Sequence, residues 1–293
     1  MNWEQVRKHY QRPEVKREIS EYCKGRWVAV HCEEKTSKDL QLMIRYWRHG
    51  SNPLTISCED DLDKIMERFS RLRPRSFYAT PHIYSRISSI QDIMDRESIV
   101  ASSPTWDIDS KDGDWRKVIE KAVEIIGVLE RNGVVKSVFF RWSGRGAHIQ
   151  VNANAFSDEI RRRIDPLDIA YSITEYVINR LKPEDGVKVE NKIDIQRVFT
   201  VPLSLHRIVD RVAVCLKPDK IEDFHPEWAN PESYKHDPSS WRRFEMGEGD
   251  ELAEKAYASI GPYIVGRRRR RKHKPLDQEI LETFRKLRLE EGS

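Results

Sequence analysis

Residues 103–151 carry the pattern that most restricts what this chain can fold into. Pro104-Thr105-Trp106-Asp107-Ile108-Asp109 reads as a strand ending in two acids, and Ser110-Lys111-Asp112-Gly113-Asp114 as a polar turn. A helix follows, with Val118, Ala122, Ile125, Ile126 and Leu129 on one face and Asn132-Gly133 as its stop. Val135–Trp142 reads as a second strand, Ser143-Gly144-Arg145-Gly146 as a tight turn, and Ala147–Val151 as a third strand. The order strand, helix, strand, strand belongs to mixed α/β domains.

The flanking sequence extends the same class. Residues 3–23 read as helix with a break near Pro13, Trp27–Val30 and Leu40–Trp47 as strands, Asp60–Leu72 as helix and Ser76–Thr80 as strand. Asp165-Pro166 supplies the cap and first residue of a helix reaching about Leu181. Strands are expected at Val187–Glu190, Ile193–Pro202 and Val212–Leu216, and 218–250 reads as irregular. The resulting division is one domain over 1–265 and a tail over 266–293. Within the domain, 1–100 forms an N-terminal α/β unit, 101–217 the central unit and 218–265 an extension.

At 293 residues, 38% hydrophobic and 34% charged, the chain can bury one large core or two small ones. It contains no apolar run of membrane-spanning length, and its first residues lack a signal-peptide pattern, so a cytoplasmic location is expected. Cys23, Cys32, Cys58 and Cys215 lie at irregular spacings, with no disulfide framework. His31-Cys32 has no accompanying C-x-x-C pair, and no structural zinc is expected. The net charge is +4, but residues 266–293 hold ten Lys/Arg against five Asp/Glu, so the first 265 residues sum to −1. The run Arg267-Arg268-Arg269-Arg270-Arg271 is either a solvated linker or a phosphate-backbone contact. The amphipathic segment after it, with Leu276, Ile280, Leu281, Phe284 and Leu287, either docks on the body or awaits a protein partner.

Strand alternation puts Asp107 and Asp109 on one face, about 6–7 Å apart, with Ile108 directed inward. Two such carboxylates repel unless a cation lies between them, and a divalent metal in a phosphate-handling enzyme is one answer. Two solvated acids at a strand end are the other. Ser143-Gly144-Arg145-Gly146-Ala147-His148 offers backbone N–H groups, a hydroxyl, a guanidinium and an imidazole within six residues, as a phosphate cradle would. Asp194, between Ile193 and Ile195, is a candidate third carboxylate, with Glu190 its nearby competitor.

The series apolar-Asp-Ile-Asp, then Ser-Gly-x-Gly-x-His, then an apolar-flanked Asp, then Pro202-Leu203-Ser204-Leu205-His206 resembles the catalytic small subunit of DNA primases, in the archaeo-eukaryotic primase superfamily. Val6-Arg7-Lys8-His9-Tyr10, Ile44-Arg45-Tyr46-Trp47-Arg48-His49-Gly50 and Pro81-His82-Ile83-Tyr84-Ser85 resemble further stretches of that family, and the likeness covers roughly 3–216. It implies that the domain over 1–265 is catalytic, with an α/β (α+β) primase core, an RRM-like sheet packed on an N-terminal α/β unit. It also implies two Mg²⁺ or Mn²⁺ ions held by Asp107, Asp109 and Asp194, a triphosphate held by Ser143, Arg145, His148 and His206, and Arg197 lining the cleft. The implied activity is template-directed nucleotidyl transfer from NTPs or dNTPs, making primers on single-stranded DNA, with a large primase subunit as a possible partner, a nucleoid-associated location and an archaeal source. An end-joining or gap-filling polymerase, or a non-catalytic nucleic-acid-binding paralogue, are the alternatives. The sequence departs from the family in two places. No Cys/His knuckle follows the first aspartates, and Arg207-Ile208-Val209 stands where Gly-Lys is usual.

Overall fold

Among the described residues, a four-stranded and a five-stranded sheet face each other across a polar cleft. The computed structural model describes residues 1–35, 41–47 and 52–264. The basic run, the amphipathic segment after it and Arg48-His49-Gly50 lie outside the described residues.

The N-terminal unit opens with α1 (Trp3–Tyr10), whose Asn2 cap and Gln5 exchange side-chain and backbone bonds. The chain breaks at Gln11-Arg12 and resumes as α2 (Pro13–Cys23), with proline at the first helical position. Strands β1 (Val28–Lys35) and β2 (Gln41–Ile44), helix α3 (Glu59–Arg68) and strand β3 (Pro74–Ala79) follow. Val28, Val30 and Phe77 point to the core with the helices, while His31, Tyr78 and Met43 point to the cleft. A small hairpin pairs β4 (His82–Tyr84) with β5 (Ile99–Ser102) around α4 (Ile90–Met94).

The central unit comprises β6 (Thr105–Ser110), α5 (Trp115–Glu130), β7 (Val138–Trp142), β8 (Ala147–Val151), α6 (Asp158–Arg163), α7 (Pro166–Ile178) and β9 (Val187–Asn191). Its strand order is β7-β8-β6-β9, all antiparallel, which is the β-α-β-β-α-β arrangement of RRM-like sheets. Helices α5 and α7 cover one face. Trp106 and Ile108 point into that layer, and the Trp106 indole N–H donates to Thr174 O at 3.1 Å. β7 starts three residues later than the sequence implies, because the Glu248 carboxylate takes the N–H groups of Val135, Lys136 and Ser137.

The strand expected over 193–202 is not formed. Asn191 Oδ1 accepts the Ile193 N–H at 2.9 Å and Asp194 Oδ1 the Gln196 N–H at 2.8 Å, so the chain leaves β9 in a turn. Only β10 (Phe199–Thr200) is extended, and it pairs with β3 of the N-terminal sheet. β11 (Val214–Leu216) adds to the edge of the central sheet beside β7. Residues 218–249 are irregular, as expected, and are latched to α2: buried Glu18 takes bonds from His236, Trp241 and Arg242. Helix α8 (Asp250–Ile260), not anticipated from the sequence, packs on α7. One hydrophobic cluster runs from Val6 through Phe77, Trp106, Ile125 and Phe140 to Ala256, uniting both sheets. Among the described residues, no helix is long and apolar enough to cross a membrane.

Candidate active site

The register of the central sheet assembles the site. Arg141 on β7 lies opposite His148 on β8, His148 opposite Asp107 on β6, and Asp107 opposite Glu190 on β9. Facing neighbours on adjacent strands project to the same side, so four ionisable side chains form a row across one face of the sheet, of which Asp107 and His148 line the cleft. Asp109, two residues along β6, joins them from the strand end. Carboxylate oxygens of Asp107, Asp109 and Glu190 all lie within 4.8 Å of one another. Three hard oxygen donors that close form a donor set suited to a divalent cation.

The chain already answers part of this negative charge. The Lys192 ammonium bonds Asp107 Oδ2, lies 3.1 Å from Glu190 Oε2 and 3.7 Å from Asp109 Oδ2. His148 Nε2 lies 2.9 Å from Asp107 Oδ1. Burial pushes the Asp107 carboxyl up, but the His148 bond and the charge of Lys192 outweigh it and hold Asp107 below the usual carboxylate range. Burial also lowers His148, against the pull of Asp107, so the pair reads as a carboxylate accepting from a neutral imidazole. The ring is wedged edge-on against Phe199, with centroids 5.1 Å apart. Arg141, fully buried behind it, donates to the Tyr22 hydroxyl at 2.9 Å.

The turn after β7 lies beside the acids. Ser143 closes it, with both its N–H and its hydroxyl donating to Gly146 O. A Cβ at Gly146 would meet Ile108 O at 2.4 Å and Asp109 Oδ1 at 2.7 Å, so only glycine lets the turn approach the acids this closely. Gly144 has φ +117°, and a Cβ there would meet the His206 side chain at 2.8 Å. His206 is thereby packed on the turn. Its Nδ1 accepts the N–H groups of Ile208 and Val209, both at 3.1 Å, which leaves Nε2–H as a donor. Burial, with Arg207 and Arg145 nearby, lowers it to about 4. Arg75 secures this loop from β3, bonding His206 O at 3.0 Å and Asp210 at 2.6 Å.

Asp107, Asp109, Ser143, Arg145, His148, Asp194, Arg197 and His206 all line one cavity of about 530 Å³ between the sheets. The opposite wall holds His31, Met43, Arg45 and Tyr78 from the N-terminal sheet. Asp194 takes a different place from the one expected. Its carboxylate caps the 194–197 turn, sits 3.7 Å from Arg197 and is outside the close acidic trio, where Glu190 stands instead. The Asp194 carbonyl receives a bond from buried His82 at 2.9 Å, which anchors the turn. Lys192 went unnoticed in the sequence. Its signal is the polar alternation Lys188, Glu190, Lys192, which shares the face of the aspartates once β9 pairs with β6.

An RRM-like sheet with acids on its open face, set across a cleft from an N-terminal α/β unit, is the fold expected from the primase likeness. A solved structure shares this fold: the polymerase domain of Mycobacterium tuberculosis ligase D in complex with DNA is similar to this chain at a TM-score of 0.53 and 13% identity, over 89% of this chain and 90% of that one. No protein-family model and no curated protein sequence matches the chain.

Proposed function

We propose that this chain is a template-directed nucleotidyltransferase of the primase-polymerase type, joining NTPs or dNTPs on a single-stranded DNA template. The observation that carries the reading is the Glu190–Asp107–His148 row with Asp109 beside it, whose Asp107, Asp109 and His148 share a cavity with Arg145, Arg197, His206 and Arg207. Acids that gather divalent cations sit next to cations and donors that suit a triphosphate, and phosphoryl transfer needs both.

In this reading Asp107, Asp109 and Glu190 would hold Mg²⁺ or Mn²⁺. Bound there, the cations would lower the pKa of an attacking 3′-hydroxyl and neutralise charge on the β- and γ-phosphates. His148 fixes the Asp107 carboxylate by its Nε2–H, so that oxygen keeps one orientation. Arg145 on its glycine turn and Arg197 beside the 194–197 turn present guanidinium groups to the cavity, and the His206 Nε2–H adds a neutral donor. No side chain serves as nucleophile.

A second reading, a polymerase that only extends existing ends, is favoured by the structural neighbour, a ligase's polymerase domain on DNA. Labelled NTPs and dNTPs offered with Mn²⁺ to a single-stranded template, with and without an annealed primer, separate the two. Products on the bare template establish priming. Products on the primed template alone establish the extending enzyme.

A further inference from the structure

Lys192 has no task in the chemistry just described, yet it occupies the centre of the acidic site. It stands one residue beyond β9, its carbonyl held by the Arg197 Nε–H at 2.8 Å. Its ammonium reaches all three acids, while Lys188 takes the outer oxygen of Glu190 from the solvent side. The side chain is 26% exposed and lines the cavity. It is therefore a cation of the chain's own at the point where three carboxylates converge.

An ammonium and a divalent cation compete for the same oxygens. Once these are taken by a metal, Lys192 loses its partners and is repelled by the new charge. Asp194, the other acid lining the cavity, already faces Arg197 and caps its turn. The anion next in reach of the released ammonium would be one brought in from outside, and a nucleotide triphosphate supplies it.

Resting on the nucleotidyltransferase reading, we infer that Lys192 is a built-in competitor for the metal. It closes the acidic site to bare divalent cations and moves onto the phosphates when metal and nucleotide arrive together. Metal and nucleotide affinities are then coupled through one side chain, and the coupling is reciprocal.

The test is a titration of Mn²⁺ followed by the electron paramagnetic resonance signal of the free ion, which needs no turnover. Wild type, Lys192→Met and the polar Lys192→Gln are measured, with thermal melts to verify folding. Both variants are expected to bind Mn²⁺ at least tenfold more tightly than wild type. A non-hydrolysable nucleoside triphosphate should tighten Mn²⁺ binding in wild type and do so several-fold less in the variants. Mn²⁺ affinity within twofold of wild type in both variants, or an undiminished nucleotide effect, overturns the inference. Adding Asp107→Asn to Lys192→Met separates the two readings. Loss of Mn²⁺ binding there upholds the metal site, whatever Lys192 does. Mn²⁺ binding that persists unchanged would sink the metal site itself.

Discussion

The identity of the third acid turns on two residues four positions apart. Glu190 shares the face of Asp107 through direct register, whereas Asp194 sits in a turn its own side chain helps to close. Glu190→Gln is therefore expected to lower Mn²⁺-dependent nucleotide incorporation at least 100-fold, with little change in melting temperature. Asp194→Asn keeps an oxygen for the Gln196 N–H and should cost less than tenfold. Equal losses in the two variants, measured as kcat/KM for nucleotide, would contradict the assignment. Asp107 with Asp109, and His148 with the glycine turn, were legible in sequence because each group is local, the first within strand alternation and the second within one hairpin; their meeting depends on the β6–β8 pairing across some 40 residues. Glu190 and Asp194 were not separable that way, since both have apolar neighbours at close range. What decides between them is pairing with a strand some 80 residues earlier, together with the Asn191 side chain that ends β9.

At the scale of elements, the hairpin β7–β8 sets how closely phosphate-binding groups approach the acids. Gly146→Ala would drive a methyl group into a backbone oxygen that cannot move aside. Overpacking of that kind costs about 1–3 kcal/mol. The expected result is a lower midpoint in chemical denaturation, with weakened Mn²⁺ binding because Asp109 is displaced. Unchanged metal affinity in a folded variant would show that the close approach does not matter. The β-α-β-β unit was readable from its periodicity and stop signals, and it folds in that order with β7 starting later, where Glu248 releases the chain. The 193–202 segment was misread because an apolar run containing Phe199 and Val201 looks like one strand. Two side-chain-capped turns at Asn191 and Asp194 override that pattern. The β4–β5 hairpin and α8 escaped notice for the related reason that their short patterns become regular only when packed on neighbours.

For the whole molecule, the two sheets share one core, and several histidines are trapped where sheets and loops meet. His9, His31, His82 and His206 are each pushed down to about 4, with burial the leading cause in all four. Their folded values lie below the unfolded value of 6.5, so the unfolded chain takes up protons first as pH falls. The stability they contribute is complete above about 6.5 and is lost progressively down to about 4. Fully buried His9 and His82 account for about 3 kcal/mol each. Urea denaturation between pH 7.5 and 4.5 should show a decline beginning near pH 6.5, and a flat profile would contradict it. The tail charge is a whole-molecule property of a different kind. Removing residues 266–293 is expected to weaken single-stranded DNA binding and flatten its salt dependence if the arginine run meets phosphates, and an unchanged slope would make the run a linker. The most direct test of the central claim is Mn²⁺-dependent incorporation of labelled nucleotides on a primed single-stranded template by wild type, Asp107→Asn and Asp109→Asn. Template-dictated products from wild type and none from either folded variant are expected. Full incorporation by either variant, or none by wild type, would contradict a nucleotidyltransferase built on this acidic row.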